Sequence, residues 1–160
     1  MNLQRHNKSM QYKVLLLAIG ATLFGASCAD ASTRVAILGY KNEIVRTVQS
    51  VKLASDRLAI PASTFEFLGL AVGYDDKERR VYISIPESDI MVGLRAGAHR
   101  SYHPETGYVP NHYPYPLARK LNGHFYISIH FMQKAFPDYF SYSWNKDTKT
   151  IVIKRRHVSE

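Results

Sequence analysis

Alternation of apolar and polar positions predicts short β-strands at several places, among them residues 44–53, 80–85 and 150–154. Two other stretches space their apolar residues three or four positions apart, which aligns side chains on one face of a helix. The first follows Pro61, a residue that suits the first helical position, and precedes Gly69, which is typical of a helix end. The second follows Ser128, a good N-cap. The pattern therefore predicts strands interrupted by two short helices.

The order of these predicted elements occurs twice. Residues 74–85 (YDDKERRVYISI) and 143–154 (SWNKDTKTIVIK) each place an aromatic residue and a charged turn before an alternating strand. We therefore predict two pseudo-repeats of strand, short helix and β-hairpin, at about residues 44–86 and 117–155, joined by a linker strand and loop at 87–116. One such unit cannot bury its apolar face alone, whereas two units can share a core.

Two units of this kind predict one α+β domain over residues 32–160, with mainly antiparallel sheet and two short helices. The dipeptide Asn122-Gly123 predicts a tight hairpin turn in the second unit. We expect the aromatic residue before each charged turn, Tyr74 or Trp144, to pack over the helix of its own unit.

Residues 1–31 have the features of a cleaved signal peptide. A positively charged start precedes eleven apolar residues at 14–24 and a run of small residues at 25–31. Eleven residues are fewer than the roughly 20 that a membrane-spanning helix needs. Ala29-Asp30-Ala31 fits a cleavage motif, which makes Ser32 the expected mature N-terminus. The sequence thus predicts an exported protein, secreted or at the cell surface, with no transmembrane span.

Cys28 is the one cysteine of the chain and lies within this segment. We expect it to leave with the signal peptide. The alternative is a lipid-modified cysteine of a lipoprotein, although such sites usually have Leu three residues earlier, where this chain has Gly25. On both interpretations the domain has no disulfide bond, and its stability depends on its core.

The charge of the chain is strongly positive, with a formal net charge of +8. Removal of residues 1–31 leaves 18 basic and 12 acidic residues, a net charge of +6. Outside a cell this balance favours anionic partners such as teichoic acid, acidic glycans or lipid headgroups. No nucleic-acid recognition motif is visible, so a nucleic-acid partner is not predicted.

The doubled phrases resemble the copper amine oxidase N-terminal-like domain. In the first unit they are Ile60-Pro61 through Phe67-Leu68-Gly69, then Tyr74-Asp75-Asp76 and Val81-Tyr82-Ile83. In the second unit they are Asn122-Gly123 through Tyr126-Ile127, then Trp144-Asn145 and Ile151-Val152-Ile153. The resemblance covers roughly residues 35–154, nearly the whole chain that follows the predicted signal peptide, and implies an accessory module of bacterial exported and cell-surface proteins. It does not imply copper binding or oxidase activity.

Residues 99–116 (HRSYHPETGYVPNHYPYP) are the most suggestive stretch for binding, and their four prolines exclude a regular helix or a central strand. Tyrosine presents an apolar face and a polar tip, as a glycan-binding surface requires. In the alternative interpretation, the tyrosines pack down over the sheet. The candidate ligand-binding residues are Tyr102, Tyr108, Tyr113 and Tyr115, with Arg95, Arg100 and Arg119 as donors.

The same stretch offers a less favoured metal site of three histidines, His99, His103 and His112. His99 and His103 are four residues apart, which brings them together only on a helix, and Pro104 disfavours helical geometry at His103. We therefore predict no metal and no cofactor.

Catalytic motifs are not visible in the sequence, and the acidic pair Asp75-Asp76 lies in a turn, where Asp is a favoured residue. We therefore predict a noncatalytic, exported binding or scaffold domain at the bacterial envelope, with a glycan, a cell-wall polymer or a surface protein as partner. The alternatives are a small extracytoplasmic enzyme whose site is assembled from distant residues, and a ligand-free structural or protein-interaction module.

Overall fold

The computed structural model describes residues 32–39, 41–54, 57–108 and 111–156. The predicted signal peptide and Cys28 lie outside these residues. Within them, no helix has the length and apolar character needed to cross a membrane.

Most of the described chain is β-strand, with two short helices. The elements are β1 (Arg34–Leu38), β2 (Ile44–Gln49), β3 (Val51–Lys52), β4 (Leu58–Pro61), the 3-10 helix η1 (Ala62–Leu68), β5 (Ala71–Asp75), β6 (Arg80–Ser84), β7 (Met91–Arg95), β8 (Tyr102–His103), β9 (Gly107–Tyr108), β10 (Ala118–Leu121), β11 (His124–Ser128), α1 (Ile129–Ala135), β12 (Phe140–Asn145) and β13 (Thr150–Arg155).

The strands form three sheets. Sheet I has the order β12-β13-β1-β2, sheet II the order β10-β11-β4-β3, and sheet III the order β5-β6-β7-β8-β9. Neighbouring strands are antiparallel except β1 and β13, which run parallel in sheet I. The predicted content, mainly antiparallel sheet with two short helices, is therefore confirmed.

The expected strand at residues 44–53 is interrupted at Ser50, which separates β2 in sheet I from β3 in sheet II. Ser50 is fully buried. Its hydroxyl accepts the backbone N–H of Thr33 (3.1 Å), and its own N–H donates to the Thr33 carbonyl (2.9 Å). These bonds hold the chain where it passes from one sheet to the next.

Both helices end or begin at the predicted residues. Gly69 follows η1 with φ = 84°, a left-handed conformation that glycine adopts without steric cost. Ser128 caps α1, because its hydroxyl accepts the backbone N–H of Phe131 at 3.3 Å.

The tight turn at Asn122-Gly123 is also confirmed. These residues have φ values of 49° and 83°, as a two-residue turn between β10 and β11 requires.

The two charged turns are built alike. Asp75 Oδ1 accepts the N–H of Glu78 at 3.0 Å, and Asn145 Oδ1 accepts the N–H of Thr148 at 3.1 Å. Each turn ends on a cation in the left-handed region, Arg79 in the first and Lys149 in the second. The short side chains at 75 and 145 thus direct the same turn through the same hydrogen bond.

The two aromatic residues before these turns lie at the rim of the core. Tyr74 is 55% exposed and Trp144 is 51% exposed. The Glu66 carboxylate of η1 lies near enough to Tyr74 to raise its pKa, and the Tyr74 ring centroid is 6.3 Å from that of Phe125 in sheet II. Packing of each aromatic side chain over the helix of its own unit stays a prediction.

One apolar cluster joins the three sheets and both helices. Its ring contact between Phe65 of η1 and Phe140 of β12 has a centroid distance of 5.9 Å. Fully buried members of each sheet include Ile37 and Ile153 of sheet I, Ile60 and Ile127 of sheet II, and Ile83 and Leu94 of sheet III. The core therefore lies between the sheets and fixes their relative positions.

Candidate functional site

Backbone hydrogen bonds tie down the segment at residues 99–116. Tyr113 N–H donates to the His99 carbonyl, and Leu117 N–H donates to the Ala98 carbonyl, both at 2.9 Å. Between these ties, β8 and β9 form a small hairpin at the edge of sheet III. The prediction excluded a central strand here, but the two-residue strand β8 pairs with β7 on one side and with β9 on the other, and β9 is the edge strand.

Two of the four candidate tyrosines point into the molecule. Tyr115 belongs to the core and is 3% exposed. The Tyr113 ring is partly buried and makes edge contacts with Tyr115 at 5.8 Å and with Phe131 of α1 at 5.5 Å. Tyr115 therefore offers no flat face to a ligand, and both rings pack inward as the alternative interpretation required.

Tyr102 is partly buried, and the guanidinium carbon of Arg80 lies 3.9 Å from its ring centroid. This contact occupies one face of the ring. The side chain of Tyr108 lies outside what the structure describes.

The three candidate arginines are all exposed but lie on different elements. The guanidinium of Arg119, on β10, donates at 3.3 Å to the backbone carbonyl of Lys52, which belongs to β3. Arg100 lies between β7 and β8, and Arg95 ends β7. The described candidates therefore come from several elements, and two of the tyrosines, Tyr113 and Tyr115, pack inward.

The candidate metal ligands are divided in the same way. The rings of His99 and His112 stack at 5.3 Å, and His99 Nδ1 lies 2.9 Å from the Tyr113 carbonyl. His103 Nε2 instead lies 3.3 Å from the Asp89 carbonyl, and its Nδ1 accepts the N–H of Glu105. In residues 32–39, 41–54, 57–108 and 111–156, no group of three or more His, Cys, Asp or Glu side chains could hold a metal ion.

A basic cleft lies where sheet II meets sheet III. It has a volume of about 640 Å³ and is lined by Arg79, Arg95, Ala96, Lys120 and Phe125, which define the basic cleft below. This volume falls within the roughly 300–1,000 Å³ of typical ligand sites.

No match to the chain was found among protein-family models, curated proteins or solved structures.

Strand register brings these cations together. Arg95 pairs with Arg80, so it lies beside Arg79 at one end of the β6–β7 hairpin. Lys120 pairs with Phe125 across β10 and β11, and its ammonium lies 5.2 Å from the centre of the Phe125 ring. A hydrogen bond from Gly97 N–H to the Ala118 carbonyl (2.9 Å) joins the two sheets near the cleft.

The electrostatics of the basic cleft favour an anion. Among the described residues that line it, three are cations and none is acidic. Glu78, beside Arg79 in the chain, lies 3.7 Å from Arg80 instead. Burial and the nearby Glu66 carboxylate raise the pKa of Tyr74, whose ring adjoins Phe125. Phe125 is a core residue that is 4% exposed, so the accessible aromatic surface beside the cations is that of Tyr74, which is 55% exposed.

Arg95 was a candidate from the sequence, whereas Arg79 and Lys120, the other cations of the basic cleft, were not. Arg79 lies in a turn predicted from charge alone, and Lys120 lies in a strand that ends at an Asn-Gly turn. One signal was available in the sequence. Successive side chains of a strand face opposite sides, so Arg119 and Lys120 of β10 lie on opposite faces of the sheet. The meeting of two sheets at the cleft has no signal in the local pattern.

Proposed function

We propose that this chain is a noncatalytic, exported binding domain of the bacterial envelope, which recognises an anionic glycan or cell-wall polymer through the basic cleft. The observation that carries this proposal is the convergence of Arg79, Arg95 and Lys120 in one cleft, with no acidic residue among the described residues that line it. Cations supply affinity for phosphate or carboxylate groups, and the exposed ring of Tyr74 beside the cleft suits the apolar side of a sugar ring.

The net charge supports this proposal. The net charge of +6 that remains without residues 1–31 attracts a polyanion from a distance and raises its association rate. The basic cleft adds a local site to that general attraction. A polymer with repeated anionic groups gains further because several groups can bind in turn.

The resemblance to the copper amine oxidase N-terminal-like domain, and the two pseudo-repeats, form part of the proposal. Two stretches share the order strand, short helix and hairpin, namely β4 to β6 and β11 to β13. Their charged turns share a side-chain hydrogen bond and a left-handed final residue. Such a module is an accessory domain, which agrees with a binding role.

The described histidines favour binding over catalysis. An enzyme of the alternative type needs a histidine within hydrogen-bond reach of a serine hydroxyl or a carboxylate. His99 contacts a backbone carbonyl, His103 contacts a carbonyl and a backbone N–H, and His130 contacts the Tyr142 hydroxyl. None of these contacts joins the histidine to a serine hydroxyl or a carboxylate.

A charge-matched pair of variants tests the proposal. We expect Arg95→Ala/Lys120→Ala to bind teichoic acid at least about tenfold more weakly, since two charge-assisted contacts are lost. The control Lys146→Ala/Lys154→Ala removes the same charge from exposed positions of sheet I and its turn, and we expect it to bind almost as the parent does. Affinity is measured at low and near-physiological salt, with a neutral glycan beside the polyanion.

Equal losses in the two double variants would show that only net charge is recognised, and would overturn the cleft. Binding of the neutral glycan that ignores both variants would place recognition elsewhere.

A second candidate function, protein interaction through an edge strand, is favoured by β2. Among the described strands, β2 is at the edge of sheet I and pairs with β1 alone, and Ile44 and Val45 at its start are 63% and 41% exposed. Exposed edge strands can accept a strand from a partner. Failure of every polymer to bind would favour this candidate.

A further inference from the structure

A second pocket, distinct from the basic cleft, lies beside the start of α1. Its volume is about 160 Å³, below the roughly 300 Å³ of sites that enclose drug-sized ligands. It therefore suits one small chemical group. The residues that line it, and that define the α1 pocket below, are Arg57, Leu58, Ile129, His130, Tyr142 and Ile151.

Three potential hydrogen-bond donors meet in the α1 pocket, and the remaining lining is aliphatic. His130 Nδ1 lies 3.2 Å from the Tyr142 hydroxyl oxygen. The guanidinium carbon of Arg57 lies 5.3 Å from the centre of the Tyr115 ring. Because Tyr115 is part of the core, its ring is a fixed support for the Arg57 side chain.

The charged side chains described around the α1 pocket are cations. In the described part of the chain, Arg57 makes no ion pair, and no residue that lines the pocket is acidic. Burial lowers the pKa of His130, and the nearby cations Arg57 and Lys134 lower it further. Near neutral pH the imidazole is therefore uncharged, and one ring nitrogen donates while the other accepts. If the Tyr142 hydroxyl donates to Nδ1, the Nε2–H is the donor left for a ligand.

The titratable groups around His130 come from several elements. Arg57 precedes β4, Lys134 lies on α1, Tyr142 lies on β12, and Tyr115 has its ring centre 6.5 Å from the His130 ring. Burial raises the pKa of Tyr115, so its phenol stays neutral at physiological pH. An incoming anion would meet two cations and no described anionic side chain.

We propose that the α1 pocket binds a phosphate or sulfate ester group. The guanidinium of Arg57 supplies the charge and a planar pair of donors, which suits such oxyanions. With the Tyr142 hydroxyl donating to Nδ1, His130 supplies one further hydrogen bond from Nε2–H. The aliphatic side chains Leu58, Ile129 and Ile151 contact the organic part of the ester, so the ester binds more tightly than the free ion.

The first test follows the pKa of His130 in the purified protein by proton NMR. Sulfate is titrated against sodium chloride of equal ionic strength, because sulfate keeps its charge over roughly pH 5 to 8. We expect sulfate to raise the pKa of His130, since a bound anion stabilises the imidazolium. His99, His103, His112 and His124 serve as internal controls, and His130→Gln identifies the resonance.

The second test compares the affinity for methyl phosphate in Arg57→Ala and in Arg100→Ala. Both variants remove one exposed arginine, but only Arg57 lines the α1 pocket. We expect binding to weaken at least about tenfold in Arg57→Ala and to stay unchanged in Arg100→Ala. Inorganic phosphate, measured beside the ester, separates recognition of an ester group from recognition of the free ion.

Three results would overturn the proposal. One is a sulfate effect that is absent at His130 or equally large at the other histidines. Another is equal affinity in the two arginine variants, and the third is tighter binding of inorganic phosphate than of the ester. The NMR test uses the unmodified protein, so its outcome does not depend on how a variant folds. Neither test involves Arg95 or Lys120, so failure here leaves the proposed role of the basic cleft unaffected.

Discussion

Single residues decide where the helices and turns of this protein begin and end. Gly69 illustrates this, because its φ of 84° directs the chain from η1 into β5. A Cβ at this position would also meet the guanidinium of Arg155. Gly73, four residues later, has ordinary backbone geometry and open space around it. Glycine is therefore required at position 69 by its backbone conformation, whereas the structure shows no such requirement at position 73.

We expect Gly69→Ala to lower the free energy of unfolding by about 1–2 kcal/mol, since alanine is strained in the left-handed region. Gly73→Ala is the control and should change that free energy by less than about 1 kcal/mol. Urea denaturation of both variants measures the difference. Equal effects would mean that the left-handed turn at residue 69 is not required.

At the scale of elements, short strands depend on side-chain contacts with their neighbours. The β8–β9 hairpin joins sheet III through the pairing of Gly93 with Tyr102, and Arg80 of β6 packs over the Tyr102 ring. So few backbone pairs give little stability alone. The contact between Arg80 and Tyr102 therefore helps to hold the hairpin on the sheet.

Replacing Tyr102 by leucine removes the aromatic face, whereas Tyr102→Phe retains it. A cation–π contact is worth about 0.5–2 kcal/mol. We expect amides of residues 99–108 to exchange hydrogen roughly fivefold faster in Tyr102→Leu, and at the parental rate in Tyr102→Phe. Hydrogen exchange followed by mass spectrometry measures this. Faster exchange in both variants would assign the effect to the hydroxyl instead.

At the scale of the whole molecule, three sheets share one core. The cluster contains residues of every sheet, and Phe65 of η1 contacts Phe140 of sheet I. No sheet of four or five strands has a separate apolar cluster among its described residues. The sheets should therefore unfold together.

Phe65→Ala should lower the free energy of unfolding by about 3–5 kcal/mol, because it leaves a cavity in this core. Phe67→Ala is a matched control on the same helix, where the ring is 40% exposed, and should cost about 1 kcal/mol or less. Circular dichroism during urea unfolding gives the free energies. Hydrogen exchange shows whether the three sheets lose protection in one step, and loss confined to one sheet would contradict a shared core.

Much of the local structure of this protein could be predicted from its sequence. The helix end at Gly69, the N-cap at Ser128 and the turn at Asn122-Gly123 were predictable because each depends on the conformation or hydrogen bonds of a few adjacent residues. The content of strands and short helices followed from the apolar spacing. The division of residues 44–53 at Ser50 was missed, because it depends on hydrogen bonds to the distant Thr33.

Contacts between side chains that are distant in the sequence depend on how the sheets pack, which local patterns do not show. Tyrosines that suit a binding surface lie in the core when their segment is tied down, as Tyr115 shows. Arg79 and Arg95 are neighbours in sheet III and Lys120 belongs to sheet II, and all three line one cleft because the two sheets pack around a common core. Local patterns record which face of a strand is apolar, but they do not record which other strand lies opposite. The candidate sites therefore followed from packing between sheets.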